Sequence, residues 1–213
     1  MARTCVSSFL YFNPDYRVII HCDAFVAPYA IREFEKSKFR DRIEISTDQT
    51  DATKWQELKL NLIVSLKETH DIFMDADLRW NGQLKQRRAI TFLTCEYEMN
   101  QKSPARQIVK KLGIANENPK MYNVSLFSFG GVSLSKAQEN ELFSTYKGFD
   151  DLLHQSDIGL LDKQVFNRLS EQFTLSVHAP RWGAPIEALK STDSPRDGGI
   201  VESTYFGVTG DTF

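Results

Sequence analysis

The sequence predicts an α/β fold: a mostly parallel central sheet flanked by helices, built as a single domain over residues 1–213. Two observations lead there. Apolar runs of strand length alternate with stretches of helical periodicity, and turn signals separate them. No internal repeat or low-complexity tract interrupts the alternation, and the one shift in composition is the loop-like Ser191-Thr-Asp-Ser-Pro-Arg-Asp-Gly-Gly199.

In chain order, Val6 to Phe12 reads as a first strand, apolar and aromatic, stopped by the turn signal Asn13-Pro14-Asp15. Arg17 to Cys22 is a second strand and Arg42 to Ser46 a third. Thr50 to Thr69 is a helix, because Trp55, Leu58, Leu62, Ile63 and Leu66 recur at helical spacing and Thr53 with Gln56 resembles a capping box. Ile72-Phe73-Met74 is a short buried strand, and Ala89 to Tyr97 another. Ser103-Pro104 opens a helix that ends at Gly113. Tyr122 to Phe129 is a strand closing on Gly130-Gly131. Ser135 caps a helix running to about His154, Asp162 to Gln172 forms another, and Phe173 to His178 is a late strand.

Composition narrows the functions to weigh. The 41% hydrophobic and 25% charged content belong to a soluble globular chain. Lysine plus arginine (26) nearly balances aspartate plus glutamate (28), so no global field recruits nucleic acid, although a local basic pocket for phosphate remains open. No apolar run reaches the length of a membrane span, and Met1-Ala-Arg-Thr-Cys-Val-Ser-Ser lacks the apolar core of a secretory signal. Cys5, Cys22 and Cys95 are scattered without metal-type spacing, which suggests reduced buried thiols and a cytoplasmic protein. The last residues, Val201 to Phe213, are apolar and mixed rather than tail-like, so the chain is expected either to stand alone or to be the first domain of a longer protein.

The most informative segment is His70-Asp-Ile-Phe-Met-Asp-Ala-Asp-Leu-Arg-Trp80. Its apolar strand delivers two carboxylates, Asp75 and Asp77, at its C-terminal end, the edge where open α/β sheets place ligands. Two such carboxylates hold a hard divalent cation whose other positions go to water and phosphate oxygens. A D-x-D triplet occurs about once by chance in a chain this rich in aspartate, so the weight lies on its place after a strand. An ordinary polar strand end is the competing explanation.

The order of features resembles nucleotide-sugar-dependent glycosyltransferases of the GT-A fold. The early strand ends in Tyr11-Phe-Asn-Pro-Asp-Tyr16, a helix carries Trp55-Gln-Glu-Leu-Lys59, and Asp75-Ala-Asp77 follows. Phe127-Ser-Phe-Gly-Gly-Val132, Leu161-Asp-Lys-Gln164 and Val177-His-Ala-Pro-Arg-Trp182 complete the series. Within that group the chain looks most like a small chlorella-virus member, the N-terminal glycosyltransferase domain of a multidomain protein. The resemblance implies a GT-A-like, Rossmann-like sheet and transfer of a hexose or deoxyhexose from a UDP-sugar to a glycan acceptor. It implies Mn²⁺ or Mg²⁺ held by Asp75 and Asp77, with His178 as third ligand from a late strand. Donor contacts are implied for Phe12, Asn13, Lys59, Ala76, Asp77, Gly130, Gly131 and Trp182. Asp162, and after it Asp157, are implied at the donor sugar or acceptor. The late histidine resembles retaining families, and a monomer without a membrane span, in host cytoplasm if viral, is expected. Phe-Gly-Gly departs from the Asn-x-Gly common in the group, and nothing after Trp182 matches, so acceptor identity stays open.

Each residue also has a plainer role. Lys59 suits the solvated face of a helix, His178 a structural strand end, and Gly130-Gly131 a simple turn. Trp55 and Trp182 suit core or lid packing, Phe12 and Tyr11 the core of a strand, and Asp162 a helix cap. Two other classes share some of these features. A haloacid-dehalogenase-like phosphohydrolase also ends a strand in D-x-D, but near the N-terminus and before a Gly-Thr-like pair rather than Leu78-Arg79. A non-catalytic sugar-binding module would have less use for Asp75, Asp77, Lys59 and His178 together.

Overall fold

The computed structural model describes residues 2–48, 55–85, 88–98, 113, 120–154, 170–190 and 201–203. The fold is mixed α/β. Its elements are α1 (Ala2–Phe12), β1 (Val18–Asp23), α2 (Ala27–Glu35), β2 (Ile43–Asp48), α3 (Trp55–Ser65), β3 (Phe73–Met74), β4 (Leu78–Trp80) and β5 (Ile90–Glu98). They continue with β6 (Lys120–Ser128), α4 (Lys136–His154), α5 (Ser170–His178), β7 (Ile186–Lys190) and β8 (Val201–Ser203). In place of one mostly parallel sheet, the described strands form three small sheets of mixed pairing: β1-β2, β3-β6-β5-β7 and β4-β8. β1–β2 and β5–β7 pair parallel, whereas β5–β6 and β4–β8 pair antiparallel.

Two compact units divide the chain: Met1–Trp55 with Met74–Lys85 and Arg196–Phe213, and Gln56–Phe73 with Gln86–Pro195. In the first, residues 2–12 form a helix, not the expected strand. Cys5, Val6, Phe9 and Leu10 recur at helical spacing and are buried on one face, while Tyr11 stays exposed. Phe9 meets Trp80 edge-on at 4.9 Å, and Ser8 Oγ accepts the Trp80 amide at 3.0 Å. Arg42 closes the C-terminal end of α1. Its guanidinium donates to the carbonyls of Tyr16 (2.9 Å), Leu10 (3.1 Å) and Asn13 (2.8 Å), an end where a cation also suits the helix dipole. At the end of β1, Asp23 Oδ1 accepts the amides of Phe25 and Val26, both at 2.8 Å, and so turns the chain into α2, an element not anticipated from the sequence.

The second unit holds the large core. Leu60, Ile63 and Val64 of α3 pack with Ile90, Phe92, Val124, Phe127, Phe129, Leu142 and Leu175. Ser135 caps α4 as expected: its Oγ accepts the Gln138 amide at 3.2 Å while Gln138 Oε1 accepts the Ser135 amide at 2.9 Å, a reciprocal capping box. Phe173–His178 is a correction, since it forms the end of α5 rather than a strand. Its alternation Phe173-Thr-Leu-Ser-Val-His178 reads as period two, yet every residue of α5 is buried, polar ones included. A helix buried all round no longer shows its period in its sequence. Its hydroxyls find local partners, Thr174 donating to the Ser170 carbonyl at 2.8 Å and Ser176 Oγ accepting the Tyr122 amide at 2.9 Å.

Candidate metal-binding turn and donor residues

β3 runs directly into Asp75-Ala76-Asp77. The Asp75 carbonyl accepts the Leu78 amide at 3.5 Å, closing a four-residue turn into β4. Both aspartates are half-buried and Ala76 is exposed. Behind the turn lies Cys5 of α1, 1% exposed, whose Sγ donates to the Asp75 carbonyl at 3.4 Å. Burial pushes the Cys5 thiol up to about 12; the Leu78 amide opposes it, and the negative charges of Asp77 and Asp75 add smaller upward pushes. The thiol is therefore neutral at physiological pH, and it is a soft donor where Mn²⁺ and Mg²⁺ prefer oxygen. What the turn offers is two hard oxygen donors in a small region of negative charge. That set fits Mn²⁺ or Mg²⁺ completed by water and phosphate oxygens, and it is too small to cage the ion alone. Among the described residues no cluster of three or more His, Cys, Asp or Glu converges as a metal site.

The remaining residues implied for donor binding have well-defined structural partners. Asn13 is 1% exposed. Its Nδ2 donates to the Phe9 carbonyl at 2.9 Å and its Oδ1 accepts the Leu84 amide at 2.7 Å, which ties the end of α1 to the chain after β4. Phe12 is half-buried and meets Tyr11 edge-on at 5.0 Å.

In the second unit, Lys59 is on the buried side of α3, not its solvated face. Its Nζ lies 3.4 Å from Glu171 Oε1 of α5 and 5.3 Å from the centre of the Phe73 ring. Beside it Ser170 donates to Gln56 at 3.1 Å, so α3 and α5 share a small buried polar seam. His178 is 1% exposed at the end of α5, with Nε2 2.8 Å from Thr145 Oγ1 of α4. Burial, opposed by Glu141 and assisted by Arg181, pulls its pKa down to about 4, so the ring is neutral and locks two helices together. Trp182 is 8% exposed and packs on Phe129 at 5.4 Å.

Gly130 and Gly131 are the middle of a turn. Their φ values are 60° and 82°, and the Val132 amide donates back to the Phe129 carbonyl at 3.1 Å, the geometry of a tight turn with both central residues left-handed. Gly131 also supports His70, because a Cβ there would lie 3.1 Å from the His70 ring. Asp157 and Asp162 lie outside the described residues, as do Thr53 and residues 103–112 of the expected helix from Ser103.

Phe12, Asn13, Asp75, Ala76 and Asp77 thus belong to one unit, and Lys59, Gly130, Gly131, His178 and Trp182 to the other. Sequence reasoning missed Cys5 behind the aspartate turn, Arg42 at the end of α1, Glu171 opposite Lys59 and His70 against Gly131. The Cys5-Val6-Phe9-Leu10 spacing was the available signal for the first; pairing of Lys59 with a residue 112 positions later leaves no local trace. No known protein family, curated protein or solved structure matches the chain.

Proposed function

We propose that the chain is a metal-dependent glycosyltransferase of the GT-A type, moving a hexose or deoxyhexose from a UDP-sugar to a glycan hydroxyl in the cytoplasm. One observation carries it: two half-buried carboxylates, Asp75 and Asp77, on the turn leaving β3, which the Leu78 amide closes and the Cys5 thiol backs through the Asp75 carbonyl. Asp75 and Asp77 would hold Mn²⁺ or Mg²⁺, with the donor diphosphate supplying further oxygens. The bound cation supplies the positive charge that a departing nucleoside diphosphate needs. With the His178 ring already bonded to Thr145 and Lys59 beside Glu171, the protein's share of the metal site reduces to the two aspartates. Asp162 is the first candidate for the group acting at the sugar or acceptor, as base or by its field, and Asp157 the second. Retention at the anomeric carbon is the favoured outcome.

The test is calorimetric and chemical. UDP should bind tightly only with Mn²⁺ present, and Asp77→Ala should abolish the metal-dependent part while circular dichroism stays unchanged. Equal UDP binding in EDTA and in Asp77→Ala would refute the assignment. In a screen of nucleotide sugars, release of free UDP marks the transferase, whereas release of inorganic phosphate from phosphomonoesters would mark a phosphohydrolase.

A further inference from the structure

The turn that carries Asp75 and Asp77 is weakly closed by its own backbone. The Leu78 amide stands 3.5 Å from the Asp75 carbonyl, outside the roughly 2.7–3.2 Å of a well-made amide bond. A second donor reaches the same carbonyl from α1: the Cys5 thiol, at 3.4 Å. Sulfur is larger than nitrogen, so that separation is an ordinary one for a thiol donor. Three residues on along the same helix face, Ser8 holds the other end of the segment, its Oγ accepting the Trp80 amide at 3.0 Å. The Ser8 hydroxyl has one hydrogen, and it goes to the Cys5 carbonyl at 3.0 Å, so a lone pair is what the Trp80 amide meets. One helix therefore grips Asp75 and Trp80 at once, with Ala76 exposed and both aspartates half-buried between the two points.

The two ends are not equally secured. Trp80 is 1% exposed, Leu78 is fully buried, and Phe9 of α1 meets the Trp80 ring edge-on at 4.9 Å, so packing roots the β4 end whatever Ser8 does. At the Asp75 end the long Leu78 contact and the Cys5 thiol are the ties to that carbonyl. A cation bound through two carboxylates gains most when the backbone already holds them at the spacing the ion needs, because ordering a loose turn on binding subtracts from affinity. Groups that orient metal ligands without touching the ion commonly change metal affinity by about ten- to a hundredfold when removed.

We propose that Cys5 and Ser8 are positioning residues for the metal site, a clamp on α1 that fixes the backbone between Asp75 and Trp80, with Cys5 the stronger of the two. This rests on the metal-binding reading of Asp75 and Asp77. The experiment is calorimetric titration of UDP into the full 213-residue chain, with Mn²⁺ and again in EDTA, beside thermal unfolding of each variant. Cys5→Val removes the donor and keeps an apolar side chain, and it should weaken Mn²⁺-dependent UDP binding about tenfold, with a smaller loss in Ser8→Ala. Cys5→Ser and Ser8→Thr keep the donor and the acceptor and should recover most of that binding. Melting temperatures should rank the Cys5 variants the other way, because valine suits the buried face of α1 better than serine does. Wild-type affinity in both Cys5→Val and Ser8→Ala would overturn the clamp and leave the metal site standing. Affinity that falls in step with melting temperature across all four variants would also overturn it, since that marks α1 as scaffold alone. A native chain that binds UDP equally with Mn²⁺ and in EDTA would overturn the metal site itself, and the clamp with it.

Discussion

In the unit formed by Gln56–Phe73 and Gln86–Pro195, aromatic side chains meet one another: Tyr122 stacks on Phe92 at 4.5 Å, Phe92 meets Phe127 at 5.0 Å, Phe127 meets Phe129 at 4.9 Å, and Phe129 meets Trp182. In the unit that begins at Met1, Phe9 meets Trp80 and Tyr16, but Tyr11, Phe25 and Tyr29 are exposed, and polar ties share in the order: Arg42 on three carbonyls, Asn13 between Phe9 and Leu84, Asp23 on two amides. The contrast separates two uses of one residue type. Buried rings remove apolar surface from water and stabilise by roughly 1.5–3 kcal/mol each, whereas exposed rings add little to folding and are free to meet a partner. The aspartate turn falls in the unit with fewer buried apolar side chains among the described residues.

The largest effect should come from setting one ring of each kind against the other. Phe127→Ala removes a fully buried side chain at the middle of the aromatic run and should cost about 3–5 kcal/mol. Phe25→Ala should stay within about 0.5 kcal/mol of the native protein. Urea unfolding followed by fluorescence and dichroism measures both. Similar losses for the two would mean that Phe25 is packed in solution, and the contrast between the units would disappear.

A smaller effect, dependent on pH, sharpens the picture of the second unit as one held from inside. His178 has its pKa lowered to about 4 by burial, below the 6.5 of an open histidine. The unfolded chain therefore binds a proton there that the folded chain refuses. The associated stability is fully present above about pH 6.5 and is lost as pH falls toward 4, by about 3 kcal/mol across that window. His178→Gln keeps a polar partner for Thr145 and removes the titration, so the difference between its melting curve and the native one should widen with pH only inside that range. A difference independent of pH would show that the ring titrates normally and that the α4–α5 contact opens readily.

How much of this was legible depended on whether one face or all faces of an element are buried. β1, β2, β5, β6 and α4 followed from local pattern, because strand runs and the Ser135–Gln138 box act through neighbours in sequence. Residues 6–12 were misread because Val6-Ser-Ser-Phe-Leu-Tyr-Phe12 is rich in strand-favouring aromatics, and only burial on the Cys5-Val6-Phe9-Leu10 face exposes the helical period. α5 was misread for the opposite reason, its complete burial erasing any period. At the site, Asp75-Ala76-Asp77 was legible as a strand-end pair, since that depends only on what precedes it. The surroundings of Lys59 and His178 were not, because Glu171 and Thr145 are brought to them by tertiary packing.

The smallest expected effect lies at the Gly130-Gly131 turn and tests whether that turn is fixed by its backbone or by the ring above it. Gly131 has φ +82°, and a Cβ would stand 3.1 Å from the Cε1 and Nε2 atoms of His70. An L side chain pays for that conformation by about 1 kcal/mol or somewhat more. The ring contact should add little, since His70 is exposed and free to swing away by a few tenths of an ångström. Gly131→Ala should therefore lose about 1–2 kcal/mol, and most of the loss should persist in the His70→Ala background. Gly131→Asn should recover part of it, because asparagine adopts left-handed backbone more readily than alanine. The Gly131 amide, which donates to the Thr69 carbonyl at 2.8 Å, gives an independent readout by hydrogen exchange. Its protection should fall in Gly131→Ala with or without His70. If removing His70 erased the whole cost, the turn would be set by the imidazole and the left-handed backbone would be incidental.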